Sequence, residues 1–148
     1  MATESELLRE SFKYDLWANQ TWLTFLTEKG SPADELAVLR HVMGAQEIWL
    51  TRCQGQSLTA IPSREPSKEL LQSLNAQWQE QIQAQPLEEP ISYRRTTGES
   101  NVQTRSRIAR HVIDHGAYHR GQIRAMVGTR GWEDFPETGL MGYFFNLD

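Results

Sequence analysis

Cysteine is almost missing from this chain: Cys53 is the one thiol in 148 residues. No internal disulfide can form, and the composition suits a reducing compartment such as the cytoplasm. Positive charge is in deficit, with 15 Lys and Arg against 19 Asp and Glu and a net charge of -4. With no basic excess to neutralise phosphates, nucleic acid is not an expected partner. No apolar stretch approaches the roughly 18 residues that suggest a membrane span. The opening Met1-Ala2-Thr3-Glu4-Ser5-Glu6 has neither the basic start nor the apolar run of a signal peptide. The expectation is a single domain over residues 1–148, in the cytoplasm and away from membranes.

Proline and glycine are also absent from residues 3–29, and that absence is what permits a long first helix. Leu8, Phe12, Leu16, Asn19, Leu23 and Leu26 recur there at 3- and 4-residue spacing, and Gly30 supplies a stop. Ser31-Pro32 reads as the cap and first position of a second helix, running to about Gln54. Its inward stripe is Ala37, Val38, His41, Ala45, Ile48, Trp49 and Arg52. Residues 56–66 read as a loop. Ser67 caps a third helix with Leu70, Leu71, Leu74, Trp78 and Ile82 on its apolar side, closed by Pro86 and Pro90. Ile91, Tyr93 and Val102 alternate with polar residues around Thr97-Gly98-Glu99, which predicts a short β-hairpin or an extended loop. A fourth helix spans about Thr104 to Thr129, and the aromatic tail Tyr143-Phe144-Phe145 is expected to pack on the bundle. The fold class is all-α, a four-helix bundle whose sites are built from inward side chains on facing helices.

All four histidines fall on predicted helices. His111, His115 and His119 are four apart on the last one, on a stripe with Ile108, Val112, Gln122, Ile123 and Met126, so all are expected inside the bundle. An imidazole facing a core needs a partner for its ring nitrogens, because an unpaired buried polar group costs about 1–3 kcal/mol. A divalent metal is one such partner, and a pair at i and i+4 can present two nitrogens to one ion. His41, on the second helix, is the one histidine left to supply a third. An isolated buried histidine is more often a hydrogen-bonded core residue, and spacing alone leaves open which two of the last three would bind.

The segment His111-Val112-Ile113-Asp114-His115-Gly116-Ala117-Tyr118-His119-Arg120-Gly121-Gln122-Ile123 resembles the signature last helix of the DinB-like family of metal-binding helical bundles. Tyr14-Asp15-Leu16-Trp17-Ala18-Asn19, His41-Val42-Met43-Gly44-Ala45-Gln46-Glu47-Ile48-Trp49 and Pro136-Glu137-Thr138-Gly139-Leu140-Met141 resemble its other motifs, in the expected order. The resemblance implies metal ligands at His41, His115 and His119, with His111 as a neighbour. It also implies an up-down-down-up bundle with one long cross-over, often paired as a homodimer. One departure is Gly139, where the family often carries an acidic residue.

Three neutral histidines would leave coordination positions open, the pattern of a catalytic rather than a structural site. Zinc suits such a set best; nickel, iron and manganese are alternatives. The ion would lower the pKa of a thiol or of water, so hydrolysis and thiol transfer are both accessible. Characterised DinB-like proteins include enzymes that use a low-molecular-weight thiol, so the resemblance favours a thiol S-transferase acting on a small molecule. A hydrolase and a non-catalytic metal-binding stress protein are the alternatives. A hydrolase calls for a general base, for which Asp15, Glu47 and Asp114 are candidates by proximity in sequence alone. Asn19, Gln122 and Arg120 are candidates for orienting a histidine or holding substrate. Trp17, Trp22, Trp49 and Trp78 are expected in the core, and Cys53, about 120° around the helix from His41, is read as packing or surface.

Overall fold

The computed structural model describes residues 1–56, 58 and 60–147. The chain forms α1 (Glu4–Glu28), α2 (Ala33–Cys53), α3 (Lys68–Ala84), β1 (Pro90–Arg94), β2 (Ser100–Thr104), α4 (Arg105–Thr129) and α5 (Leu140–Phe145). Three helices start on side-chain caps that satisfy otherwise orphaned backbone N–H groups. Thr3 and Glu6 form a reciprocal capping box on α1, Ser67 accepts from the Leu70 N–H, and Thr104 accepts from the Arg107 N–H.

The start of α2 departs from expectation. Ser31 does not cap it; Pro32 occupies the cap position with no side-chain hydrogen bond. Ser31 instead takes a φ of 57° and donates its N–H to the Leu26 carbonyl at 2.9 Å, closing α1. The serine is used to end one helix and is unavailable to begin the next.

Cross-helix contacts fix the topology. Arg9 meets Gln79 and Asn75 meets the Phe12 carbonyl, so α1 and α3 are antiparallel. Glu4 meets Ser106 and Asp15 meets Arg120, so α1 and α4 are parallel. His41 meets His115 and Glu35 meets Arg130, so α2 runs against α4. The result is the up-down-down-up bundle. The long cross-over joins α2 to α3 at residues 54–67; its Ser57 and Thr59, together with Asp148 at the other end of the chain, lie outside the described residues. It lies against α2 at Gly44, where a Cβ would collide with the Pro62 carbonyl and stand 2.8 Å from the Ile61 side chain. Ion pairs of Glu47 with Arg64 and of Arg40 with Glu65 tie it down on either side.

The core is made by Phe12, Leu26, Leu39, Met43, Leu71, Trp78, Ile108 and Ile123 among others, with the Phe12 and Trp78 rings stacked at 5.0 Å between centroids. Burying each such side chain contributes about 1.5–3 kcal/mol. Cys53 belongs to this core. The stripe expected of α2 is offset. Ala37 is exposed, while Leu39, Val42, Met43 and Leu50 are buried. His41, Ala45, Ile48, Trp49 and Arg52 face a cleft instead, because α2 packs on the bundle with one side and walls an opening with the next.

The region before α4 is a hairpin, with β1 and β2 antiparallel and Ser92 opposite Val102. Ile91 and Tyr93 point inward; Val102 is exposed. In the tail, Tyr143 packs edge-on against Tyr14, but Phe145 is 73% exposed. Among the described residues, no helix is long and apolar enough to cross a membrane.

Candidate metal centre

Residues on α2 and α4 build the site. Antiparallel packing brings one histidine of α2 beside two successive turns of α4. His41, His115 and His119 each offer one ring nitrogen, and these atoms all lie within 4.8 Å of one another. His41 Nε2 and His115 Nε2 are 3.1 Å apart, and the His119 ring centroid stands 4.4 Å from that of His115 and 4.7 Å from that of His41. The nitrogen atoms of two zinc-bound imidazoles would be about 3.3 Å apart, for Zn–N bonds of about 2.0–2.1 Å in a tetrahedron. The three residues therefore fit a divalent ion in spacing as well as in donor type.

Protonation also suits ligation, which requires neutral imidazole. Burial, followed by the neighbouring His119, pushes His115 down to about 4. The same two causes lower His41. Gln122 Oε1 lies 2.9 Å from His119 Nδ1, so the amide oxygen can accept from an Nδ1–H and leave Nε2 free to face the other two rings. Gln122 does this from an exposed position, not the inward one expected.

The triad is half-buried, and His41 and His115 line a cleft of about 580 Å³. One wall is α2, from His41 to Arg52; another is α4, with Arg107, Ile108, His111 and His115; the hairpin contributes Tyr93, Arg95, Asn101 and Gln103. His111 is exposed, contrary to the expectation of four inward histidines. It sits between the Trp49 and His115 rings, at 5.5 and 5.6 Å. Trp49 is likewise a cleft wall rather than core, whereas Trp22 and Trp78 are core.

Asn19 and Arg120 lie elsewhere. The Arg120 guanidinium donates to Asp15 at 2.8 Å and to Asn19 at 2.7 Å; the Asn19 amide donates to Asp15 at 3.1 Å, and the Gln46 amide donates to the same carboxylate. All four side chains are buried, and among the described residues their hydrogen bonds run to one another and not to the triad. Gly116 makes the close approach possible: a Cβ there would stand 2.7 Å from the Asp15 carboxylate and 3.0 Å from the Arg120 guanidinium. Arg120 also borders a second cavity, between α1, α4 and residues 136–140, which Asp114 lines as well. The three carboxylates considered as general bases are thus engaged or turned away. Asp15 is held by Arg120, Glu47 pairs with Arg64, and Asp114 lines the second cavity.

Sequence reasoning missed Arg52, Tyr93, Arg95 and Arg107 as cleft residues. For Arg52 a signal existed, because it lies three turns from His41 on the same stripe. Arg107 had one too, lying one turn before His111 on the histidine stripe; Tyr93 and Arg95 had none, since their place depends on how the hairpin folds over the helices.

Comparison with known proteins agrees with the motifs. The DinB family matches residues 1–140. The chain is also similar to protein DinB of Bacillus subtilis strain 168, at 26% identity over 156 aligned positions covering 89% of this chain and 91% of that protein. No solved structure gives a significant match. With residues 1–140 of the 148 matched, this chain belongs to the DinB family.

Proposed function

We propose that this protein is a metal-dependent thiol S-transferase, in which His41, His115 and His119 hold one divalent ion, zinc by preference, and a low-molecular-weight thiol is transferred to a small electrophile. The observation that carries the reading is a histidine triad of which His41 and His115 line a cleft that, among the described residues, no Asp or Glu lines. When bound, the ion supplies Lewis acidity that favours the deprotonated form of a thiol or water beside it. The chain's own residues do the rest. Gln122 orients His119, and the walls of the cleft hold the reactants.

One feature supports a thiol over water, and a second says where that thiol comes from. Hydrolysis calls for a positioned base, and Asp15, Glu47 and Asp114 are turned from the cleft. Nor does the protein supply the sulfur itself: Cys53 is buried in the core, and burial pushes its thiol up to about 11. The thiol then comes from solution. A cytoplasmic homodimer of single-domain subunits belongs to the same reading, supported by the lone cysteine and the family resemblance.

The test is conjugation. Zinc-loaded protein is incubated with an electrophile and, separately, with glutathione, bacillithiol and mycothiol. Product is expected with one of them, lost in His119→Ala and kept, with one bound metal, in His111→Ala. Turnover of an ester, amide or lactone without thiol would replace this reading with the hydrolase. Metal binding with no turnover of any kind would leave a metal-stabilised binding protein.

A further inference from the structure

In a chain of net charge -4, the cleft carries Arg52, Arg95 and Arg107 and, among the described residues, no carboxylate. Arg52 is the best defined of the three. It is 5% exposed, and its guanidinium lies over the Trp49 ring at 4.5 Å and the Tyr93 ring at 4.8 Å. One nitrogen donates to the Arg94 carbonyl at 3.0 Å; its buried Nε has no hydrogen-bond partner among the described residues. Among the described residues its neighbours are two aromatic faces and one carbonyl, and it forms no ion pair with a carboxylate. A buried cation without a counter-charge is costly, and aromatic faces compensate only part of that cost. Such a group is retained at low cost where a ligand supplies the anion. From Arg52 the wall continues through Trp49 and His111 to His115, so an anion at Arg52 shares one cleft with the triad.

We infer that the cleft binds a small molecule bearing a carboxylate or phosphate, and that Arg52 and Arg107 hold this anion while the rest of the ligand extends toward the histidines. The inference deepens the proposed function by naming the charge class of the thiol or its acceptor, and it rests on the cleft being the substrate site. Arg52 is the anchor: its planar guanidinium is fixed by the two rings and matches an oxyanion. Arg107, on the first turns of α4, is exposed and would meet the anion from the solvent side.

Calorimetric titration of zinc-loaded protein tests this, with mercaptosuccinate, its uncharged counterpart thioglycerol, succinate and inorganic phosphate as probes. Mercaptosuccinate should bind at least about tenfold more tightly than thioglycerol, as expected of one charge-assisted hydrogen bond. That preference should weaken with added salt and fall in Arg107→Gln and further in Arg52→Gln, with metal content unchanged. The surface variant Arg107→Gln keeps the test decisive if Arg52→Gln folds poorly. Succinate or phosphate binding that depends on these arginines, without binding of either thiol, would uphold the anion site and overturn the thiol reading; which of the two binds identifies the oxyanion. Equal affinity for charged and uncharged thiols, a charge preference untouched by Arg107→Gln in a folded protein, or no binding of any anion would overturn the inference.

Discussion

Two polar clusters adjoin α4, and they are built on opposite principles. His115 and His119 face His41 of α2, with ring nitrogens turned toward one another, and His115 lines the open cleft beside them. Gly116 and Arg120, one residue further along, face α1 and the buried carboxylate of Asp15. A step of about 100° around the helix separates them. In the first cluster three bases crowd together, and burial with this crowding favours the neutral forms of His115 and His41. In the second, an anion and a cation neutralise each other, with Asn19 and Gln46 completing the hydrogen bonds. The lesson is that inward polar residues on one helix serve different ends. Like groups gathered at an opening are poised for something from outside; opposite groups sealed in the core hold helices in register.

That division can be broken from either side. The largest effects should come from removing a whole member. Asp15→Ala strands the Arg120 charge, which is 3% exposed, and should cost about 3–5 kcal/mol in chemical unfolding, with or without metal. Its counterpart His115→Ala should lose stoichiometric metal binding by elemental analysis, while the unfolding midpoint of the metal-free protein stays close to wild type. A midpoint that collapses as far as in Asp15→Ala would mean that the triad is part of the structural core.

Gly116→Ala comes next. A Cβ must push apart the Asp15 and Arg120 groups, so a loss of about 1–3 kcal/mol is expected. Metal affinity should change much less than stability does, and the reverse pattern would show the two clusters to be coupled.

The smallest effect is that of pH on the metal-free protein. His115 is pushed down to about 4 in the fold, and His41 is lowered as well. Their neutral forms are favoured by folding, so the stability they contribute is present above about 6.5 and is lost as pH falls toward about 4. The groups are half-exposed, so a modest fall in melting temperature across this window is expected, reduced in His115→Ala. An unchanged pH dependence in that variant would assign the acid sensitivity to other residues.

Much of this could be read along the chain. Apolar spacing marked α1, α3 and α4, with Ser67 read as the cap of α3, and alternation around Thr97-Gly98-Glu99 marked the hairpin. Helical spacing singled out the last three histidines, and the motifs pointed to His41, His115 and His119. These are local properties, fixed by backbone sterics and by which side chains must leave water. Spacing could not tell the histidine face of α4 from its core face, because both run at the same period. It took the packing of α2 on one side and α1 on the other to expose His111, to bury Arg120 on Asp15, and to turn His41 toward His115. The cleft arginines are the extreme case: Arg52 comes from α2, Arg107 from α4 and Arg95 from the hairpin, joined only when these three elements pack together. Sequence determined the helices and their histidines; the tertiary structure decided which polar groups meet, because charge and coordination act through space.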